Sequence, residues 1–203
     1  MKPSALVPLF VLGSLCASAA AFGAGSADEG QSKSTACVAC HGPNGNSANP
    51  EWPSLAGQSE QYIRKQLQAY KGGARKNPLM TPMAASLSDD DMADLGAYFA
   101  SQKPAGLEAD SGKLPLGQRI FRSGDPKSGI PACAACHGPS GSGNPPAAYP
   151  LLRAQYGTYV AAQLRAYRAG TRQTDANKMM RDIASTMSDE QIDAVASYVQ
   201  GLR

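Results

Sequence analysis

Histidine is almost missing from this chain: only His41 and His137 occur among 203 residues, and each directly follows a pair of cysteines, so none is left over for any other site. Cysteine is limited to five residues. Four of them sit in those same two clusters, which leaves no disulfide framework to be built. No run of lysine and arginine occurs and the formal net charge is only +3, an excess too small for a phosphate-tracking surface, so nucleic acid is excluded as a partner. No β-rich segment precedes either cysteine pair. That removes the strand-to-helix setting of a thioredoxin-like redox pair. Long apolar runs are also lacking; the single stretch over residues 5–15 is too short to be a confident membrane span.

What is present is the pattern CxxCH, twice: Cys37-Val38-Ala39-Cys40-His41 and Cys133-Ala134-Ala135-Cys136-His137. This is the spacing that attaches a c-type haem. Two thiols three residues apart can each add to one vinyl group of a single porphyrin, and the adjacent histidine then reaches the iron as proximal ligand. Two covalently bound haem c groups are therefore expected, held by Cys37, Cys40 and His41 and by Cys133, Cys136 and His137. A zinc site made of all four thiols is the rival reading. Structural zinc pairs normally lie far closer in sequence than the 96 residues between Cys37 and Cys133.

Lys2, the apolar stretch behind it and the small residues Ala17-Ser18-Ala19-Ala20-Ala21 compose a secretory signal. Residues 1–23 are expected to be removed, with cleavage between Ala21 and Ala24 and Cys16 discarded; an uncleaved anchor is the alternative. Leu15 fits poorly before a lipidated cysteine, which counts against a lipoprotein. Export together with covalent haem attachment places the mature chain in the bacterial periplasm.

About 180 residues remain, enough for one large domain or two small ones. Internal comparison decides for two. At an offset of 96, His41-Gly42-Pro43 falls on His137-Gly138-Pro139; at 97, Gln58, Tyr62, Gln66, Leu67, Tyr70 and Arg75 meet identical residues at Gln155, Tyr159, Gln163, Leu164, Tyr167 and Arg172; at 100, Ser88 and Tyr98 meet Ser188 and Tyr198. The chain is a tandem duplication, with an N-terminal unit over 24–104 and a C-terminal unit over 105–203. Each reads as helical, so the fold class is all-α. Ile63, Leu67 and Tyr70, like Val160, Leu164 and Tyr167, share one helical stripe. Ser188 to Gln191 reads as a capping box and Ser88 to Asp91 as a weaker acidic version. Behind them Met92, Leu95, Gly96 and Phe99 match Ile192, Val195, Ala196 and Val199 on one face. Residues 103–115, bearing proline and glycine, read as a connector crossing the surface.

With both histidines proximal, a methionine thioether is the natural sixth ligand, being soft and favouring ferrous haem. Under the late offset Met80 falls on Met180, whereas Met83 meets Ile183, Met92 meets Ile192, Met179 meets Leu79 and Met187 meets Leu87. A methionine that interchanges with isoleucine or leucine is a core filler. Met80 and Met180 are thus the candidate axial ligands; ligation by the neighbouring Met83 or Met179 is the alternative. Pro43 and Pro139 are expected to shape the loop beneath the haem. Tyr62 with Tyr159, and Tyr70 with Tyr167, are candidate partners of the propionates or of one another across the domain boundary; Arg75 and Arg172 are candidate propionate partners, the alternative being solvated surface arginines. Charge divides unevenly: residues 24–104 hold seven Lys and Arg against eight Asp and Glu, and 105–203 hold eleven against eight. Such an imbalance would orient the molecule toward an acidic partner or an anionic membrane surface.

The two CxxCHGPxG motifs, the Pro-x-Leu segments after Trp52 and Tyr149, the QLxAY helices, Met80-Thr81-Pro82-Met83, Met179 through Ala184, and the closing helices behind Ser88 and Ser188 resemble the dihaem cytochrome c4 family over nearly the whole mature chain. The resemblance implies two tandem cytochrome c domains related by a pseudo-twofold axis, each with a histidine–methionine haem whose methionine is Met80 or Met180. It also implies single-electron transfer in the periplasm, with peripheral membrane association. The family suggests a quinol–cytochrome c oxidoreductase as donor and a terminal haem-copper oxidase as acceptor. With both axial positions filled, the expected role is carrier and not enzyme. A cytochrome subunit of a periplasmic dehydrogenase is the first alternative. A dihaem peroxidase is the second, opposed by the absence of a spare histidine.

Overall fold

The computed structural model describes residues 24–203; the signal segment and Cys16 lie outside the described residues. Ten α-helices and no strand occur among those residues, with only two isolated bridge pairs, Asp125–Ile130 and Asn144–Tyr149. The all-α expectation holds. The first half contains α1 (Ala27–Lys33), α2 (Thr35–His41), α3 (Glu60–Lys71), α4 (Met80–Ala85) and α5 (Asp89–Ser101); the second repeats the order as α6 (Leu114–Ser123), α7 (Ala134–His137), α8 (Gly157–Arg168), α9 (Met179–Ser185) and α10 (Asp189–Gln200). In each half the first helix crosses the last, the long middle helix packs along the last, and the short fourth helix rests on the middle one.

The last helices form where the sequence places them, because their caps and apolar faces agree. Ser188 Oγ accepts from Gln191 N and the Gln191 side chain accepts from Ser188 N. The pair Ser88 and Asp91 closes in full as well, with Asp91 N donating to Ser88 Oγ at 3.1 Å and Ser88 N to the Asp91 carboxylate at 2.9 Å. Met92, Leu95 and Phe99 are buried beneath α5, and Ile192, Val195 and Val199 beneath α10. On α3, Ser59 caps the start and Ile63 and Tyr70 face the core.

The first helix of each half was not legible from apolar spacing. What makes both possible is a glycine at the crossing. A Cβ built on Gly30 would lie 2.0 Å from the Asp94 carbonyl oxygen, and one on Gly117 2.2 Å from that of Ala194. Only a residue without a side chain lets the two backbones approach so closely. Gly30 and Gly117 are 87 residues apart, not 96, because the second half inserts a loop that closes with the Asp125–Ile130 bridge before its cysteine pair. The connector is also shorter than the composition suggests: Leu114 and Pro115 form the first turn of α6, where a proline's missing N–H costs nothing.

The halves meet through hydrogen bonds that exchange under the 97-residue offset. Gln58 Nε2 donates to the Leu151 carbonyl at 3.1 Å and its Oε1 accepts from Leu151 N at 2.9 Å. Gln155 does the same with Ser54, at 2.8 and 2.9 Å. Ser54 and Leu151 are themselves offset equivalents. The interface is therefore isologous in form although it joins parts of one chain.

Candidate cofactor sites

Each half gathers two thiols and an imidazole within one stretch of helix. On α2, Cys37 and Cys40 are one turn apart and His41 ends the helix; Cys133 precedes α7, which carries Cys136 and ends at His137. All four thiols are free. Cys37 packs against Ile63, Leu95, Tyr98 and Phe99, and Cys133 against the larger core of the second half. Burial pushes the Cys37 thiol up and that of Cys133 up to about 11. No three metal-binding side chains cluster among the described residues. The four-thiol zinc alternative is not assembled.

His41 and His137 are 7% and 8% exposed, and in each Nδ1 lies within hydrogen-bond reach of a proline carbonyl: Pro53 at 2.8 Å and Pro150 at 3.0 Å. A carbonyl only accepts, so Nδ1 carries the proton and Nε2 keeps its lone pair. Burial holds both imidazoles below the usual histidine range, against the opposing pull of the carbonyl. The result at neutral pH is a neutral, oriented imidazole with one nitrogen available to a metal. Sequence reading singled out the segments around Trp52 and Tyr149 but not this role. The prolines stand at the same place in both repeats, and that was the available signal.

Met80 is the first residue of α4 and Met180 the second of α9, both half-buried. Different devices hold the two starts. In the first half Asn77 Oδ1 accepts from Leu79 N and Met80 N, each at 2.9 Å. In the second, the Asp175 carboxylate, 2% exposed, takes Arg181 N at 3.0 Å and Arg181 Nε at 2.9 Å. The second half also has a bridge without counterpart: the Tyr149 hydroxyl donates to Met179 Sδ at 3.8 Å, and the Tyr149 ring lies 6.2 Å from that of His137. Trp52 and Leu79 occupy these places in the first half. Met92 and Met187 are buried, as core fillers should be. Met83 is not one: it is 44% exposed, because α4 turns Ala84 toward α3 and leaves Met83 on its outer side.

Val38 at 37% and Leu79 at 57% join Met83 as large apolar side chains left on the surface of the first half. Val38 lies between Cys37 and Cys40, and Leu79 and Met83 flank Met80 in sequence, where a porphyrin face needs apolar cover. Two thiols, one oriented imidazole, a thioether and an apolar surround form a donor set that fits a covalently held haem.

The family model described as Cytochrome c matches residues 27–103 and again 116–203. The chain is similar to cytochrome c4 of Azotobacter vinelandii, with 48% identity covering 90% of this chain and 91% of that protein. It resembles the crystal structure of reduced recombinant cytochrome c4 from Pseudomonas stutzeri, with a TM-score of 0.86 and 44% identity over 89% of this chain and all of that one. It is also similar to a thiosulfate dehydrogenase electron acceptor of Stutzerimonas stutzeri, 43% identical over 80% of this chain and 77% of that protein.

Proposed function

This chain belongs to the cytochrome c4 family and carries two covalently bound haem c groups; from there we propose that it relays single electrons between redox proteins of the bacterial periplasm, entering at one haem and leaving from the other. Residues 24–104 and 105–203 are the two haem domains, and residues 1–23 the export signal. The bound haem supplies the ferric–ferrous couple. Cys37 and Cys40, and Cys133 and Cys136, would hold it covalently, and His41 and His137 through Nε2 and Met80 and Met180 through their thioethers would supply the protein's ligands to iron. With those ligands supplied, no place would be left for a substrate, and the chain would act as a carrier. The observation that carries this reading is the buried, carbonyl-oriented histidine beside two free thiols, repeated in both halves.

The donor is a quinol–cytochrome c oxidoreductase and the acceptor a terminal haem-copper oxidase, reached by diffusion or from a membrane surface. A second reading is favoured by the 43% identity to a thiosulfate dehydrogenase electron acceptor: the same haems would accept electrons from a periplasmic dehydrogenase. Stopped-flow reduction of the oxidised protein separates the two, since the physiological donor reduces it much faster than the other enzyme does.

The site assignment is tested by mass and by ligand binding. The exported protein should gain two haem masses that survive denaturation, and both irons should be low-spin and inert to carbon monoxide and peroxide. Met80→Ala or Met180→Ala should open one haem each, whereas Met83→Ala and Met179→Ala should leave coordination unchanged. Carbon monoxide binding to the unaltered protein with peroxide turnover would sink the carrier reading in favour of a peroxidase.

A further inference from the structure

Two sets of side chains join the halves. Arg75 and Arg172 are buried and so are not solvated surface residues; Gln66 and Gln163 each accept from both, and Arg75 Nη2 donates to the Tyr159 hydroxyl at 3.0 Å as Arg172 Nη2 does to that of Tyr62 at 2.8 Å. None of these bonds involves a histidine or the carbonyl that orients it. The second set is different. Gln58 and Gln155, 4% and 6% exposed, each grip one backbone segment of the opposite half. Gln155 Oε1 accepts from Ser54 N at 2.9 Å while its Nε2 donates to the Ser54 carbonyl at 2.8 Å; Gln58 holds Leu151 in the same way, at 2.9 and 3.1 Å. Each Oε1 also accepts from the backbone N–H that follows its own residue, Ser59 N at 3.1 Å and Tyr156 N at 3.2 Å. The side chains are therefore fixed from both sides.

The residue gripped is in each case the one that follows a histidine-orienting proline. Ser54 N–H and the Pro53 carbonyl are the two ends of a single peptide group, and so are Leu151 N–H and the Pro150 carbonyl. The Pro53 carbonyl lies 2.8 Å from His41 Nδ1, and the Pro150 carbonyl 3.0 Å from His137 Nδ1. An unbroken hydrogen-bonded chain thus runs from His41 through one peptide group to Gln155 of the second half, and another from His137 to Gln58 of the first. The two chains cross. A peptide group is one resonance unit, so a hydrogen bond donated by its N–H sends electron density to its oxygen and makes the carbonyl a better acceptor. Hydrogen bonds linked in this way strengthen one another by about 10–30% each.

Resting on the reading above that His41 and His137 ligate the haem irons, we propose that Gln58 and Gln155 are positioning residues that tune the haem of the opposite half, Gln155 through the Pro53–Ser54 peptide and His41, and Gln58 through the Pro150–Leu151 peptide and His137. A stronger hydrogen bond at Nδ1–H makes the imidazole a more electron-rich ligand at Nε2. That favours ferric iron, so each glutamine holds down the reduction potential of the haem in the other half. Both potentials then depend on the halves being docked, because a domain set free loses its partner's glutamine. The direction separates this effect from a loosened boundary. Water admitted to a haem stabilises the charged ferric form and lowers the potential, whereas loss of the glutamine raises it.

Spectroelectrochemical titration of the holoprotein tests this, with the two one-electron waves assigned by Met80→Ala and Met180→Ala, which displace that of the first and of the second half. Gln155→Met should raise the first-half wave and leave the second; Gln58→Met should do the reverse. In the diamagnetic ferrous protein the Nδ1 proton resonance of His41 should move upfield in Gln155→Met and that of His137 in Gln58→Met, a readout that holds whichever methionine ligates. Tyr156→Phe removes a boundary hydrogen bond that lies on neither chain, from its hydroxyl to the Ser47 carbonyl at 2.6 Å. It should raise neither wave. A shift confined to the mutated residue's own half, a fall in place of the rise, or an equal rise in Tyr156→Phe overturns the proposal. Should the methionine variants fail to fold, Gln155→Asn and Gln58→Asn keep the boundary polar and shorten the reach by one methylene; the same crossed rise is expected, and unmoved waves overturn the proposal. Haem mass and the low-spin spectrum are recorded for every protein. One missing haem or an open iron in the unaltered protein breaks the two-haem reading; with both haems present and closed, the crossed pattern alone judges the glutamines.

Discussion

In the first half the opening helix is tied to the closing one by charge; in the second half the same crossing is apolar. Lys33 on α1 reaches Asp91 at 2.8 Å and Asp94 at 2.6 Å on α5, and Asp94 also takes Ser26 N at 2.7 Å. The offset of 87 that aligns Gly30 with Gly117 puts Ile120 and Phe121, both fully buried, where Lys33 and Ser34 stand. Phe121 packs on Tyr198 with ring centres 5.4 Å apart. Between the middle and last helices the preference reverses. Arg165 and Arg168 on α8 pair with Asp189 and Asp193 on α10, whereas in the first half Gln68 bonds Asp89 and Lys71 donates to the Leu87 carbonyl. The shared topology thus depends on what both copies keep, the crossing glycine and the Ser88 and Ser188 caps. What surrounds the crossing is exchangeable, and it decides to which conditions each half responds.

The largest expected effect separates the two crossings directly. Phe121→Ala removes a buried ring and should cost about 3–5 kcal/mol, read as faster amide exchange in α6 and α10 and a lower denaturation midpoint. Lys33→Met removes ion pairs that remain open to water and should cost far less. If Lys33→Met proved as damaging as Phe121→Ala, the contrast between an ionic and an apolar crossing would be wrong.

Next in size are the substitutions that should not distinguish the halves. In Gly30→Ala and Gly117→Ala the new methyl meets a backbone carbonyl that cannot turn aside, so the helices must part, at a cost of about 1–3 kcal/mol or more. Denaturation of the two variants should show similar losses. A loss in only one would mean that the crossing is not the common element.

These contrasts also mark where sequence reading stops. The helices α3, α5 and α10 are legible because apolar spacing, caps and acidic first turns agree along each; α8 has neither cap nor acidic first turn and is legible from its apolar spacing alone, and CxxCH is legible because its chemistry demands adjacent residues. α1, with the sequence ADEGQSK, has no apolar stripe; Ser26 caps it, accepting from Glu29 N at 3.3 Å, and distant carboxylates dock it. α6 does carry Leu116, Ile120 and Phe121, but the proline and glycine before them suggest a connector. The Pro53 and Pro150 carbonyls were hidden because a backbone acceptor leaves no residue signature. Arg75 and Arg172 were visible as residues and not as a pair, since the way two domains face each other is not a local property of either.

The smallest expected effect is also the most selective, because acid should loosen a different helix pair in each half. Hydrogen bonding to Lys33 is the main cause that holds the Asp91 and Asp94 carboxyls below the usual carboxylate range, and hydrogen bonding to Arg168 does the same for Asp189. A carboxyl depressed on folding contributes stability that is complete above its unfolded value, about 3.9, and is lost as pH falls through its lower folded value. Lys33 is raised, chiefly by its hydrogen bond to Asp91, so its contribution is whole below about pH 10 and lost only as pH rises past its folded value. Between pH 6 and 3, then, α1 should open more in the first half while α3 changes little. In the second half α8 should open more while α6 changes little. All four groups are open to water, so the change should be no more than a few-fold in opening equilibrium, and smaller in molar salt. Hydrogen exchange resolved by helix reads the pattern. Parallel loosening of α1 and α6 would show that the two crossings share one mode of attachment after all, and would remove charge as the reason the halves differ.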